Sequence, residues 1–314
     1  MRYFLELSYN GTAYRGWQRQ RDVPSVQQTL EEALSRLLGA PTEVVGAGRT
    51  DTGVHAAHYV AHFDTEVEIT GADGDGAGCR AAGAGRADGA GGDGVFAGDD
   101  FLYHANSMLP PDIALKSIRR VADDAHARYD ATEREYTYYI ARAKDPFRAG
   151  TAWLYTVPLD VDAMNRAAAY LLTVSDFTTF AKLGGGNKTN ICRVTAAQWR
   201  SERGLRVTGG GGEGSGSKTP DGDSGGEGSS DKTSGGNNDS GGEQTLGCLT
   251  FTIRADRFLR NMVRAVVGTL VDVGRGKITP EQFAEIVDAR NLSRASGGAP
   301  AHGLFLTGIK YEIH

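Results

Sequence analysis

Apolar and polar residues alternate along RYFLELSY, residues 2–9, which predicts a β-strand with one buried face. Beyond Ser25, apolar residues recur at helical spacing over residues 26–38, and Ser25 with the glutamine three positions later predicts a capping box at the start of this helix. Residues 44–48 and 57–63 then predict two strands on either side of a glycine-rich stretch. The order strand, helix, strand, strand is that of half a ferredoxin-like unit.

The rest of the chain also mixes helices and strands. Strands are predicted at residues 113–121, 136–142, 194–201, 249–255 and 304–311, and helices at residues 101–108, 161–172, 257–273 and from Pro280 onward. The elements do not alternate strictly, as they would in a doubly wound parallel sheet. We therefore expect an α+β fold of two similar halves with a largely antiparallel sheet: an N-terminal domain of residues 1–109 and a C-terminal domain of residues 110–314.

Two glycine-rich segments, residues 71–100 and 209–243, interrupt this pattern. They contain almost no aromatic or branched side chains, so they cannot bury enough apolar surface to offset the entropy lost on ordering. The sequence predicts that they are flexible insertions in surface loops, one in each domain. Both segments are acidic, and the sum of their net charges is more negative than the net charge of -5 on the whole chain. The remainder is therefore net positive and compatible with an RNA partner.

Composition argues against several other classes of protein. No apolar run is long enough to cross a membrane, and the first residues lack the apolar core of a signal peptide, so we expect a cytoplasmic protein without a membrane partner. The three cysteines, Cys79, Cys192 and Cys248, are odd in number and far apart, which argues against a disulfide framework or a four-cysteine zinc site.

Candidate chemistry is concentrated in GAGRTDTGVHAAH, residues 46–58. Its glycines allow a sharp turn and a close approach of the backbone to a ligand. Asp51 has two interpretations: a turn residue that hydrogen-bonds its own backbone, or a nucleophilic carboxylate. Arg49 lies two positions earlier and would share a face with Asp51 in extended backbone, where its guanidinium would stabilise a negative charge. The pattern alone leaves both interpretations open.

The histidines nearby raise a further possibility. His55, His58 and His62, together with Asp51, are enough ligands for a metal ion, and His58 and His62 would project from one face of a strand. A single strand seldom gives the convergent geometry of a tight metal site. Histidines that form hydrogen bonds or lie on the surface are therefore the favoured interpretation.

Basic and aromatic residues occur in three other places. Arg257, Arg260 and Arg264 would form one face of the long predicted helix, either solvated or following a phosphate backbone. Arg264 lies furthest inside the apolar run, which suggests a buried carboxylate partner. Tyr136 is either a core residue or a residue that stacks on an unpaired base. Segment 10–21 is either an RNA-contacting loop or a polar loop around a buried tryptophan.

Seven segments in this order resemble the conserved blocks of the TruA-type tRNA pseudouridine synthases, and together they span nearly the whole chain apart from the two insertions. They are SYNGTAYRGWQRQ at 8–20, GRTDTGVHA at 48–56, NSMLPPDIALKSI at 106–118, HARYDATEREYTYYI at 126–140, SDFTTFAK at 175–182, FLRNMVRAVVGTLVDVG at 258–274 and HGLFLTGIKY at 302–311. Several blocks in register are far more specific than any single motif.

The resemblance implies two ferredoxin-like, RNA-recognition-motif-like halves with the active-site cleft between them. It implies conversion of uridine to pseudouridine at positions 38, 39 and 40 in the anticodon stem-loop of tRNA, by a homodimer that uses no metal and no organic cofactor. By position, Asp51 is the nucleophile and Tyr136 contacts the target base. Arg49 is implicated in extruding or holding the nucleotide, and Arg264 in pairing with Asp51. Glu135 departs from the basic or neutral residue usual at that place, which puts a local phosphate contact in doubt.

The implied reaction breaks the bond between ribose C1' and uracil N1 and joins C1' to C5, so one nucleophile is enough. Asp51 could attack C1' or add to C6 of the ring, and the sequence neither distinguishes these routes nor identifies the base that removes the C5 proton. An RNA-binding module without catalysis, in which Asp51 only orders a turn, is the alternative from another class. A metal-dependent hydrolase built on Asp51 and the histidines is a third.

Overall fold

The computed structural model describes residues 1–71, 95–182, 188–202 and 247–312. The predicted insertion at 209–243 lies outside the described residues, as does most of the one at 71–100.

The described residues contain eleven strands and five α-helices. The strands are β1 (Arg2–Tyr9), β2 (Val44–Gly46), β3 (His55–Asp64), β4 (Glu68–Thr70), β5 (Val95–Ala97), β6 (Ile113–Val121), β7 (Ala131–Ala141), β8 (Trp153–Leu154), β9 (Val194–Glu202), β10 (Cys248–Ala255) and β11 (Leu304–Tyr311). The helices are α1 (Val26–Leu38), α2 (Gly98–Met108), α3 (Val161–Tyr170), α4 (Met262–Gly274) and α5 (Pro280–Asp288).

Nine of these strands form one sheet in the order β6-β1-β3-β11-β7-β10-β9, with β2 beside β3 and β8 beside β7. Its pairings are antiparallel except for β3 with β11 and β7 with β8. Strands β4 and β5 form a separate parallel pair. The predicted mixture of helices with a largely antiparallel sheet is therefore confirmed.

The parallel pairing of β3 with β11 joins the N-terminal part of the chain to its last described strand. In this register Leu306 is opposite Ala56 on one side and opposite Tyr136 of β7 on the other. The start of β3 and the middle of β7 are therefore separated by a single strand, although they are far apart in sequence.

The buried residues form two clusters. One involves β1, β3, α1 and α2, with Leu5 and Phe101 completely buried; the other involves β7, β10, α3, α4 and α5, with Phe251 and Phe283 completely buried. Tyr136 packs against both clusters. It therefore lies where the two cores meet.

The predicted helix starts are largely present. At the start of α5, Thr279 Oγ1 accepts a hydrogen bond from the Gln282 N–H at 3.2 Å, and Gln282 Oε1 accepts one from the Thr279 N–H at 2.9 Å. Ser25 Oγ accepts from the Gln28 N–H at 3.3 Å, at the start of α1. The Gln28 side chain instead donates to Glu32 at 2.9 Å, so only half of the box predicted there is formed.

The long helix predicted at 257–273 begins later than expected, at Met262. Asn261 precedes it with φ of 66°, in the left-handed region, which an α-helix does not allow. Arg257 and Arg260 therefore lie in the turn before α4 rather than on its face, and of the three arginines only Arg264 is helical.

The first predicted insertion is shorter than expected. Residues 95–100 form β5 and the first turn of α2, which begins at Gly98 and not after Asp100. Phe96 is the physical reason, because its ring packs on Phe101 with 6.1 Å between centroids and adjoins the first core.

Two histidines of β3 are buried and hydrogen-bonded to the backbone. His55 Nδ1 accepts from the Gly11 N–H at 3.0 Å, and its Nε2 lies 3.1 Å from the His302 carbonyl oxygen. His62 Nδ1 accepts from the Ala127 N–H at 3.1 Å. These contacts match the favoured interpretation of both histidines as hydrogen-bonding groups.

Within the described ranges, no three His, Cys, Asp or Glu side chains are grouped closely enough to hold a metal ion. No helix in this part of the chain is both long and apolar enough to cross a membrane.

We predict that His62 makes the stability of the fold depend on pH. Burial, aided by the positive charges of Arg2 and His126, lowers the pKa of His62 to about 4. The unfolded chain protonates this histidine near pH 6.5, so between pH 6.5 and 4 the unfolded state binds more protons. The free energy of unfolding should fall as the pH falls through this window, by at most about 1.4 kcal/mol per pH unit for this one group.

Urea unfolding of the His62→Gln variant from pH 7.5 to 4 tests this, because glutamine can still accept the Ala127 N–H. The variant should lose part of the pH dependence. His58→Gln, on the same strand and only half-buried, is the control and should keep it. An identical slope in His62→Gln and the unaltered protein would contradict the prediction.

Candidate active site

A cleft of about 930 Å³ opens between the loop before β3, the strands β7 and β11, and the start of α4, and Asp51 and Tyr136 both line it. Cations dominate its described lining, and Asp51 is the single acid there. The lining cations are Arg15, Arg19, Arg49, Arg128, Arg134, Lys188, Arg257, Arg260 and Arg264. Such a surface attracts a polyanion, and it surrounds one carboxylate.

Asp51 lies in the loop between β2 and β3, at residues 47–54. The Val54 N–H donates to the Asp51 carbonyl at 3.1 Å, and Gly53 has φ of 74°, which closes a tight turn. Thr50 fixes the loop from behind, because its hydroxyl lies 2.9 Å from the Tyr9 hydroxyl. Asp51 therefore belongs to a tight turn and also lines the cleft.

The N-terminal segment, residues 10–21, packs against this loop. The Trp17 N–H donates to the Thr50 carbonyl at 3.3 Å, and the Trp17 ring stacks on Tyr59 with 4.1 Å between centroids. Gly16 has φ of 96°, and a Cβ there would lie 2.3 Å from the Thr50 carbonyl oxygen. Trp17 is thus a buried support, as the second interpretation of this segment predicted, whereas Arg15 lines the cleft. The contact of this segment with RNA stays a prediction.

The Asp51 carboxylate forms its ion pair with Arg260, whose Nε lies 3.4 Å from Asp51 Oδ1. The Asp51 side chain is 23% exposed and that of Arg260 is 57% exposed. The carboxylate is therefore paired with a cation whose side chain remains largely exposed.

Tyr136 presents a neutral phenol beside this carboxylate. It is half-buried, and its ring meets Phe258 edge to face with 5.0 Å between centroids. Burial, together with the negative charge of Asp51, raises the pKa of Tyr136 to about 12. The ring therefore stays uncharged at neutral pH and offers an apolar face with a hydrogen-bonding hydroxyl.

Arg264 does not form the predicted pair with Asp51. Its Nε donates to the Ala299 carbonyl at 2.7 Å, and the Ala299 N–H donates back to the Arg264 carbonyl at 2.9 Å. Because α4 starts at Met262, Arg264 faces the segment that precedes β11, while Arg260, in the turn before the helix, reaches the carboxylate.

Arg49 lines the cleft from the loop of Asp51 and is exposed. Among the described residues its guanidinium has no hydrogen bond or ion pair, so it is available to a ligand. Glu135 does not line the cleft. It pairs with Arg254 and accepts a hydrogen bond from the Thr307 hydroxyl at 2.9 Å.

Arg134 was not predicted from the sequence, but it lines the cleft and connects the backbone around it. Its Nη1 donates to the carbonyls of Ala131 and Asp256 at 2.6 and 2.8 Å, and its Nη2 donates to those of Ala47 and Arg128 at 3.2 and 2.6 Å. One guanidinium thus binds four carbonyls from three backbone segments, at residue 47, residues 128–131 and residue 256. The available signal was its place in β7, two residues before Tyr136.

Comparison with known proteins agrees with this geometry. A family model described as tRNA pseudouridine synthase matches residues 167–312. A tRNA pseudouridine synthase A of Bacteroides thetaiotaomicron is 39% identical over 310 residues, which cover 99% of this chain and 90% of the relative. The protein of that name from Parabacteroides distasonis is 38% identical over 99% of this chain and 96% of its own length.

A more distant relative, the tRNA pseudouridine synthase A of Acetivibrio thermocellus, is 33% identical over 98% of both chains. The similarity therefore extends over the whole chain and not only over the part that the family model matches. The chain belongs to the tRNA pseudouridine synthase A family.

Proposed function

We propose that the chain converts uridine to pseudouridine at positions 38, 39 and 40 in the anticodon stem-loop of tRNA, with Asp51 as the nucleophile. The observation that supports this most is the isolation of Asp51, which is the one acid among the described lining residues of a cleft rich in arginine. The names of the relatives support tRNA as the substrate.

The reaction moves one bond within the substrate. Asp51 either attacks ribose C1', expelling uracil as an anion, or adds to C6 of the ring. In the first route C5 of the rotated uracil displaces the carboxylate from C1'; in the second the bond between Asp51 and C6 breaks after C1' has moved from N1 to C5. In both routes C5 loses its proton and N1 gains one, so the product is an isomer of the substrate and Asp51 is regenerated.

Neither C1' nor C6 can be reached inside a base stack, so the uridine must turn out at a cost of a few kcal/mol. Contacts with Tyr136 and the cleft arginines would offset that cost.

The other residues have distinct proposed roles. Tyr136 holds the face of the uracil while the detached ring rotates. Arg49, which has no partner in the described part of the chain, holds the phosphate of the extruded nucleotide. Arg260 orients the Asp51 carboxylate. Arg264 lines the cleft and anchors Ala299, so it shapes the site that binds the substrate.

We also propose that the fold consists of two ferredoxin-like, RNA-recognition-motif-like halves with the active site between them. Two matching orders of elements support this: β1-α1-β2-β3-α2-β6 forms sheet order β6-β1-β3-β2, and β7-α3-β9-β10-α4-β11 forms β11-β7-β10-β9. The division at residues 109 and 110 stays a prediction. The pairing of β6 with β1 favours ending the first half after Val121.

The assembly and location follow the same family logic. We propose a cytoplasmic homodimer, as the family resemblance implies. We also propose that it uses no metal and no organic cofactor, because an isomerisation by one nucleophile adds no group and changes no oxidation state. Gel filtration with light scattering tests the dimer, and activity in the presence of a chelator tests the absence of a metal.

The Asp51→Asn variant should lose turnover by at least about a thousand-fold, because the amide is not a nucleophile, while its affinity for tRNA is retained. Tritium released to water from a tRNA transcript labelled at C5 of uridine measures turnover. Asp162→Asn, which removes one exposed carboxylate from the first turn of α3, is the matched control and should be fully active.

Full turnover by Asp51→Asn would exclude the nucleophile assignment. Binding of tRNA without tritium release by the unaltered protein would instead favour an RNA-binding module without catalysis.

Arg260→Gln and Arg264→Gln should differ in their effects. Arg260 is exposed, so Arg260→Gln should change the free energy of unfolding by less than about 1 kcal/mol. It should lower kcat by at least about ten-fold, because the carboxylate loses the group that orients it.

Arg264→Gln removes the charged donor to the Ala299 carbonyl and should destabilise the fold by about 1.5–3 kcal/mol. Urea unfolding and tritium release on both variants measure these effects; unchanged kcat in Arg260→Gln would contradict the role of the ion pair.

A further inference from the structure

Tyr129 lies at the cleft with 76% of its surface exposed. A single exposed apolar residue is common on a protein surface and needs no function. Two features distinguish Tyr129. The backbone turn that contains it is fixed by hydrogen bonds, and it lies in the same arginine-rich cleft as Asp51.

The turn that presents the ring is fixed by His126. Its Nδ1 accepts from the backbone N–H groups of Arg128 and Tyr129 at 3.1 and 3.3 Å. The backbone N–H of His126 donates to Asp130 Oδ2 at 2.6 Å, and the backbone N–H of Asp130 donates to the His126 carbonyl at 3.1 Å. Arg134 adds a hydrogen bond to the Arg128 carbonyl at 2.6 Å. Little backbone freedom remains to be lost when a ligand binds.

The Tyr129 ring is supported by neighbours but not covered. The centroid of the His126 ring is 4.2 Å from that of Tyr129, and the Arg128 guanidinium carbon is 5.9 Å from the Tyr129 ring centroid. His126 rests in turn on buried His62, with 4.7 Å between centroids. A supported aromatic ring with most of its surface in solvent is suited to stacking on a flat ligand.

Charge indicates which flat ligand is favoured. Arg128 is exposed and its guanidinium has no hydrogen bond or ion pair among the described residues. An aromatic ring beside a guanidinium whose N–H groups have no hydrogen bond in the described part of the chain matches a nucleotide, whose base can stack while its phosphate meets the cation.

The target uridine itself belongs elsewhere in the cleft. Tyr136 lies close enough to Asp51 to experience its charge, whereas Tyr129 contacts His126 and Arg128, neither of which contacts Asp51 in the described part of the chain. Tyr129 is therefore suited to a second base of the same RNA.

We infer that Tyr129 stacks on an unpaired base that flanks the extruded uridine, with Arg128 contacting the phosphate of that nucleotide. The inference rests on the proposed function, and it assigns to Tyr129 a positioning role rather than a chemical one. Because every base has a π-face, the contact would hold the single-stranded loop without reading its sequence.

The first test compares Tyr129→Ala and Tyr129→Phe with Tyr103→Ala. Tyr103 is the control because it is 70% exposed and also lies beside a histidine ring, but it is on α2 and does not line the cleft. Tyr129→Ala should raise the Kd and the KM for an unmodified tRNA transcript about ten-fold, with kcat at saturating tRNA nearly unchanged. Tyr129→Phe, which keeps the ring, and Tyr103→Ala should bind like the unaltered protein.

The second test detects stacking directly. The fluorescence of the tryptophan introduced by Tyr129→Trp should be quenched when tRNA binds, and that of Tyr103→Trp should not. Both are measured in the Asp51→Asn background, so that binding is observed without turnover.

Three results would overturn the inference: unchanged affinity in Tyr129→Ala, equal weakening in Tyr129→Phe and Tyr129→Ala, or a change in oligomeric state in Tyr129→Ala, which would assign the ring to a protein contact. The proposed function fails separately, if the unaltered protein releases no tritium. In that case the affinity and quenching measurements still decide whether Tyr129 stacks on RNA.

Discussion

The parallel pairing of β3 with β11 is the contact on which the site depends. Leu306 lies between Ala56 and Tyr136, so a single strand separates the strand that follows the Asp51 loop from the strand that contains the aromatic side chain. β11 also contributes buried residues to both cores, Leu306 and Ile309 to the first and Leu304 to the second. Its pairing with β3 brings the loop that carries the carboxylate and the strand that carries the tyrosine to one cleft. Arg134 reinforces the arrangement with hydrogen bonds to carbonyls on both sides, at Ala47 and Asp256.

The charged groups of the cleft have two different roles. The cations on its walls suit a phosphate backbone, whose contacts give affinity but no chemistry. Asp51 is distinct because it is the one acid among the described lining residues. Its loop is held by a backbone turn and by the hydroxyl pair of Thr50 and Tyr9, and its carboxylate pairs with the exposed Arg260. In the proposed reaction, a negatively charged substrate would therefore meet this one carboxylate of the described lining at the atom to be attacked.

Sequence patterns predicted the elements of this arrangement better than its contacts. Periodicity and capping residues located most helices and strands, and the motif around Asp51 identified the loop. The start of α4 was missed because it depends on a left-handed Asn261, which periodicity does not reveal. The pairing of Arg264 with Asp51 was carried over from the family resemblance, whereas in the structure Arg260 makes the ion pair with Asp51. Arg134 was missed because its function lies in four backbone carbonyls, and hydrogen bonds to backbone leave little trace in side-chain patterns.

The position of β11 in the chain also affects how the protein folds. The contact between β3 and β11 joins residues about 250 positions apart, whereas the β1–β3 and β7–β10 pairings are completed within their own halves. Contacts of such long range form slowly, because the entropy of closing the intervening chain must be overcome first. During synthesis the half with Asp51 can collapse well before β11 leaves the ribosome. A nascent chain would therefore hold a folded Asp51 loop without the wall that faces it, and the cleft would be assembled in one late step.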